Sequence, residues 1–260
     1  MHRDAGVVAA ALTPRGKRGE LNFGACFDLI DQLCKAKVSA IAMLTAAGEY
    51  PAFTVEERMR LVYLGVKRTR VPLLAGVGSE DLETSVELAR AALSTGAEGV
   101  LLPPPSLFAY PQPELREYYL QFADQVDESG GIWIVESPAL AAGTIQELLA
   151  TGQFAGSTST NLTLSPEANA IPELLVALHC ACLSGDTGRA ASLTAALREF
   201  QDWADRFAPL VAIKEAAALR GIPMGPLRIP IAPERRQLLA KFREWFAGWL
   251  LLTRKMAANA

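Results

Sequence analysis

Short apolar, β-branched runs alternate along this chain with longer segments of helical period. The pattern predicts an α/β fold: a (β/α)8 TIM-type barrel, shortened by at least one βα unit, with a C-terminal helical domain. Three observations carry this reading. The βα units recur at even spacing and no G-x-G-x-x-G follows the first strand, which favours a barrel over a doubly wound sheet. The alternation falters after Phe154–Thr158, and everything beyond Asp186 has the period of amphipathic helix. A TIM barrel ordinarily uses ~250 residues before any appended domain. Here it must fit before a tail that begins near residue 186 of 260.

The elements follow in order. Gly6–Leu12 is strand-like and Phe23–Lys37 helical. Ala40–Leu44 is a second strand, and Val55–Thr69 a helix opened by Thr54 with Glu57 three residues on, the spacing of a capping box. Val71–Val77 with Leu82–Ser94, and Gly99–Leu102 with Pro113–Glu128, make the third and fourth units. Ile132–Val135 with Thr144–Ala150 is a weaker fifth, and Phe154–Thr158 a sixth strand. Ser165–Pro172 then leads into Glu173–Ser184, followed by helices at Asp186–Phe207, Pro209–Arg220 and Pro233–Lys255. The expected division is a barrel over 1–185, incomplete near 160–168, and a helical domain over 186–260.

Composition narrows the function classes. Half the residues are apolar and the net charge is −3, with 25 basic residues scattered rather than clustered. Neither nucleic acid nor an anionic membrane surface is implied as a partner. The first residues lack the pattern of a secretory signal, and the apolar run Trp245–Leu252 is too short to span a bilayer, so a cytoplasmic protein is expected. The four cysteines, Cys26, Cys34, Cys180 and Cys182, form no C-x-x-C pair and read as free thiols. His179-Cys180-Ala181-Cys182 lies in an apolar helical stretch, where core packing is favoured over metal ligation. No cofactor is expected.

A series of motifs in fixed order then carries a resemblance. A-A-A-L-T-P at Ala9–Pro14, L-T-A-A-G-E at Leu44–Glu49, T-V-E-E-R at Thr54–Arg58 and L-L-A-G-V-G at Leu73–Gly78 come first. G-A-E-G-V-L-L-P-P-P at Gly96–Pro105, E-S-P at Glu136–Pro138, and Lys214 through G-I-P-M-G-P-L-R-I-P at Gly221–Pro230 complete it. Together they resemble the dihydrodipicolinate synthase / N-acetylneuraminate lyase family over nearly the whole chain. The resemblance implies a TIM barrel with a helical tail, assembled as a homo-oligomer (dimer or tetramer). It also implies a Schiff base between a sixth-strand lysine and pyruvate or a related 2-oxo acid, followed by carbon–carbon bond chemistry.

That chemistry needs a neutral amine, a hydroxyl relay and donors for a carboxylate. At the position that matches the family's lysine this chain has Thr158, which cannot form an imine. The seven lysines are Lys17, Lys35, Lys37, Lys67, Lys214, Lys241 and Lys255, and none lies at a predicted strand end. Lys214, in V-A-I-K-E-A, matches a tail-helix lysine that has no Schiff-base role in the family. The family's paired turn threonines match Ala46 and Ala47 in Thr45-Ala46-Ala47-Gly48-Glu49, and its fifth-strand tyrosine matches Val135. Its tyrosine pair falls on Pro105-Ser106-Leu107, with Tyr110 a few residues on, and its carboxylate-binding arginine on Leu140 or Ala141. Ser165 through Glu173 resembles the family's eighth strand and the start of the following helix. It comes almost directly after the sixth strand, so at least one βα unit of ~30 residues is missing, either natively or by excision from a longer sequence.

The expected lining at the barrel mouth is Thr45, Ala46, Ala47, Tyr110, Val135, Glu136 and Thr158, small and weakly polar. Three readings follow. One is a protein of this family without pyruvate-aldolase activity, retained as a small-molecule-binding or scaffold protein. Another is an enzyme of different chemistry with Glu49 or Glu136 as acid/base. The last is a lyase acting on a 2-oxo acid with a relocated amine. The apolar stretches Leu107–Tyr110 and Trp245–Leu252 suggest buried surface in an oligomer.

Overall fold

The structure, a computed structural model, describes residues 6–126, 131–158 and 162–258. Its sheet is parallel and seven-stranded, in the order β6-β5-β4-β3-β2-β1-β7. The strands are β1 Val8–Ala10, β2 Ala40–Met43, β3 Leu73–Gly76, β4 Gly99–Leu102, β5 Gly131–Ile134, β6 Gly156–Ser157 and β7 Leu164–Ser165. Between the first six run α1 Phe23–Lys35, α2 Val55–Arg68, α3 Leu82–Ser94, α4 Gln112–Val126 and α5 Ala142–Ala150. The chain is then helical as α6 Pro172–Ser184, α7 Thr187–Ala204, α8 Val211–Leu219 and α9 Pro233–Ala258. No described helix is long and apolar enough to cross a membrane.

Side-chain alternation explains how the sheet curls. On β1 and β2, Val8, Ala40 and Ala42 face one cluster while Ala9, Ile41 and Met43 face another. The first cluster also takes Leu74 from β3, Leu101 from β4, Trp133 from β5 and Leu162, so strands from both sides of the sheet share one interior. The second cluster is the layer between strands and helices, and it runs without a break into the tail helices. This is a TIM-type barrel shortened to seven strands.

The expected deletion falls between β6 and β7, the two ends of the sheet, which are joined by residues 158–163 with no helix among the described ones. The Leu162 amide donates to the Ser157 carbonyl at 3.2 Å, and its side chain, 2% exposed, enters the interior beside Trp133. Barrel diameter falls with strand number, and these two side chains help to fill what remains. At the other end β7 pairs with β1, Val8 opposite Leu164 and Ala9 opposite Ser165. Asn169, fully buried, completes the junction. Its side-chain oxygen accepts from the Leu12 amide at 2.9 Å, and its nitrogen donates to the carbonyls of Ala10 at 2.8 Å and Pro166 at 2.7 Å. One amide thus satisfies strand-end groups that would otherwise be orphaned in the core.

Two sequence expectations change. Cys180 and Cys182 are exposed rather than packed in the core, because α6 buries the face carrying Leu174, Leu175, Ala177 and Ala181. At 100° per residue Cys180 lies off that face, whereas Cys182 falls within its arc but in the last turn of α6. The apolar stretch in α9 is largely consumed within the chain. Phe242, Phe246 and Trp249 pack against Phe200 of α7, with Trp245 stacked on Trp203, leaving Leu251 and Leu252 in solvent. The last residues of the expected Pro113–Glu128 helix lie outside the described residues.

Candidate functional site at the barrel mouth

A cavity of about 400 Å³ opens at the C-terminal ends of the strands, where barrel enzymes place their chemistry. It is lined by Leu44–Ala47 after β2, Gly76 at the end of β3, Pro103–Ser106 after β4 and Val135–Ser137 after β5. Ala10, Leu101, Leu164 and Pro166 form its floor and one side, with Tyr50 and Ala139 on the rim. Five residues expected at the site therefore meet here: Thr45, Ala46, Ala47, Val135 and Glu136. Thr158 and Tyr110 do not line the cavity. Thr158 sits behind Glu136, its hydroxyl accepting from the Glu136 amide at 3.1 Å. Tyr110 stands edge-on to Phe108 on the β4–α4 loop, with ring centroids 6.2 Å apart.

Local sequence shapes the wall between β2 and β3. Leu44 has φ 56° and Glu49 φ 54°, so the intervening turn is held between two left-handed residues. A Cβ at Gly76 would lie 2.0 Å from the Leu44 carbonyl oxygen, so only glycine lets the two strand ends approach. The turn ends in the Thr54 capping box, in which the Glu57 amide donates to Thr54 and the Thr54 amide to Glu57. One turn into α2, the buried Arg58 donates to the Gly76 carbonyl at 3.3 Å and lies 5.1 Å from the Tyr50 ring centroid.

Burial lowers the Arg58 pKa to about 10, against the opposing pull of Tyr50. Burial, with Glu80 nearby, raises the Tyr50 phenol, which Arg58 partly offsets. Tyr50 is therefore a neutral phenol fixed at the rim. Sequence reasoning missed it; its place directly after the Thr45–Glu49 turn was the available signal.

The polar content of the cavity is small. Glu136 accepts a hydrogen bond on Oε1 from Ser157 Oγ, itself fully buried on β6. Thr45 is 8% exposed, and its Oγ1 is buried with no hydrogen-bond partner among the described residues. The described lining contains no lysine, arginine or histidine. Leu140, at one of the two positions matched to the family's arginine, is buried in the core.

Glu49 lies outside the lining and is otherwise engaged. Its Oε2 accepts from Lys214 Nζ at 2.6 Å and from Arg15 Nη2 at 3.4 Å, and both cations are buried. The tail helix α8 thus reaches the turn after β2, and its amine is spent on an ion pair.

The comparisons fit this geometry. 4-Hydroxy-tetrahydrodipicolinate synthase 1 of Streptomyces coelicolor is 30% identical, the match covering 97% of this chain and 94% of that protein. The alignment runs over 298 residues, longer than the 260-residue chain, and so must be gapped on this chain's side. Among solved structures, a prophage protein of the dihydrodipicolinic acid synthase family from E. coli K12, in complex with pyruvate, superposes with a TM-score of 0.82 at 22% identity, covering 95% of this chain and 99% of that one. The N-acetylneuraminate lyase of Mycoplasma synoviae does so with a TM-score of 0.81 at 18% identity, covering 95% and 98%. A model of the Dihydrodipicolinate synthetase family matches residues 3–161, more than half the chain, and with the strand-end cavity in the same barrel this chain belongs to that family.

Proposed function

We propose that this chain is a family member that makes no Schiff base with a 2-oxo acid and uses the barrel-mouth cavity to bind a small molecule. One observation carries the reading: the described lining holds neither an amine to condense with a keto group nor a cation to hold a carboxylate. Thr158 occupies the end of β6, and Val135 stands where the resemblance places a tyrosine. An iminium cannot form without a neutral amine within reach, and Lys214 is engaged by Glu49 at 2.6 Å. The reading includes self-association, supported by Leu107 and Phe108, each 66% exposed on the β4–α4 loop.

A second reading has one observation in its favour. Glu136 lines the cavity beside a fixed hydroxyl, an arrangement that suits a general acid or base. Glu49 has less support in that role, because it lies in the Lys214 and Arg15 ion pairs.

Incubation with pyruvate and borohydride, followed by intact-mass spectrometry, tests the proposal. No adduct beyond the control level is expected. A stoichiometric adduct mapped to one lysine would overturn it and identify a relocated amine.

A further inference from the structure

We propose that the foot of the barrel, on the face opposite the mouth, is a second binding site, for a compact anion bearing two or more phosphate groups. The inference is independent of how the mouth is used. Its basis is a gathering of cations from two runs of sequence around one concavity.

Helices α1 and α2 end at the N-terminal edge of the sheet, Lys35 leading towards β2 and Arg68 towards β3. A cavity of about 870 Å³ lies there, lined by Lys35, Lys37, Lys67, Arg68 and Arg70, with Asp31 the one carboxylate in the described lining. This lining carries a charge of +4 on a chain of net charge −3, so the remaining residues carry −7. A long polyanion or a flat anionic surface would meet that acidic remainder, whereas a small anion meets only the cavity.

Arg68 is already committed, its Nε donating to Asp31 at 2.9 Å with Asp28 close enough to add its charge. Lys67 lies 5.8 Å from the Tyr63 ring centroid, a contact that uses none of its three N–H donors. Lys35, Lys37 and Arg70 are exposed and have no ion pair or side-chain hydrogen bond among the described residues. Cations in a last turn offset the negative end of a helix dipole, which accounts for Lys35, Lys67 and Arg68. Lys37 and Arg70 stand beyond both helices. Like charges around one concavity repel, and an anion between them removes that cost. Ammonium groups and a guanidinium fork suit phosphate oxygens, and their supply from two helix ends suits an anion charged along its length.

Calorimetric titration of the full chain with inorganic triphosphate and with inorganic phosphate tests the site. Triphosphate should bind once per chain, at least about tenfold tighter than phosphate, and weaken as salt rises. Lys37→Gly and Arg70→Ala should each weaken it by about threefold or more. Lys37 has φ 63°, where glycine is the unstrained residue, so Lys37→Gly removes the charge without endangering the fold. The double variant Lys241→Ala/Lys255→Ala, at exposed positions on α9, is the charge control and should bind as the unaltered protein does.

No binding of triphosphate, equal affinity for phosphate, or an affinity that Lys37→Gly and Arg70→Ala leave unchanged would each overturn the proposal. An equal loss in the α9 control would do so as well, by showing diffuse adsorption. Tighter binding of a single-stranded oligonucleotide than of triphosphate would also overturn it and assign the surface to nucleic acid.

Discussion

The barrel mouth and the junction between barrel and tail both surround the turn after β2, yet they differ in how their polar groups are used. At the junction, Glu49 accepts from Lys214 and Arg15, and a few residues from β7 Glu173 takes a bidentate pair from Arg220 at 2.7 and 2.8 Å. These groups come from segments far apart in sequence, and their charges are matched before any ligand arrives. At the mouth, the hydroxyl of Thr45 has no hydrogen-bond partner among the described residues, and the described lining has no cation. Paired charges fix a geometry before any ligand arrives, whereas an open cavity leaves its lining free to meet one. In this chain one side of the turn is held by ion pairs to the tail, while the other lines a cavity whose described residues include no lysine or arginine.

The largest expected effect comes from breaking the junction. Glu49→Ala should destabilise the fold by ~3–5 kcal/mol, because it leaves the buried cations Lys214 and Arg15 without the carboxylate they share. Denaturant unfolding measures this. A loss under 1 kcal/mol would mean that the ion pair does not tie the tail to the barrel.

The second effect is smaller and depends on pH. Burial raises the Glu173 carboxyl, but hydrogen bonds and charge from Arg220, its own amide and Arg254 together hold it below the usual carboxylate range. A carboxyl depressed in the folded state contributes stability above its unfolded value of about 4.3. That contribution is lost as the pH falls through the folded value. Glu173→Gln should therefore cost about 2 kcal/mol at neutral pH, and the gap to the unaltered protein should close in acid. Thermal melts between pH 7 and pH 3 would show it, and a gap independent of pH would refute the assignment.

At the mouth the effect should be smallest. Thr45→Val replaces a hydroxyl that has no partner among the described residues with a methyl of similar volume, so stability should stay within about 0.5 kcal/mol or rise slightly. A loss above 1 kcal/mol would show that the hydroxyl is engaged in the unliganded protein and would erase the contrast between the two regions.

How far the sequence led can be traced residue by residue. The Thr54–Glu57 spacing predicted a capping box that the structure contains, since both partners lie within one helical turn. The strand-end placement of Thr45, Ala46, Ala47, Val135 and Glu136 around one cavity was readable because barrel strands all present their C-terminal ends to one face. Tyr50 went unseen because its neighbours suggested only a turn, and its position depends on Arg58 and Gly76. Cys180 and Cys182 were misplaced because an apolar helix with little amphipathic contrast does not declare which face is buried. The two-residue strand Leu164–Ser165 is too short to show a period.

By itself the sequence determined the family, the order of the βα units, the place of the deletion and the absence of a lysine at Thr158. These are local patterns or motifs in order, and each is complete within a few residues of chain. Only the tertiary structure decided that Leu162 and Trp133 help fill the shortened interior and that Asn169 stitches β1 to the segment after β7. It also decided that Lys214 pairs with Glu49 across 165 residues of sequence and that Ser157 orients Glu136. Such pairings are set by which strand ends and helices meet in three dimensions, and no spacing along the chain encodes them.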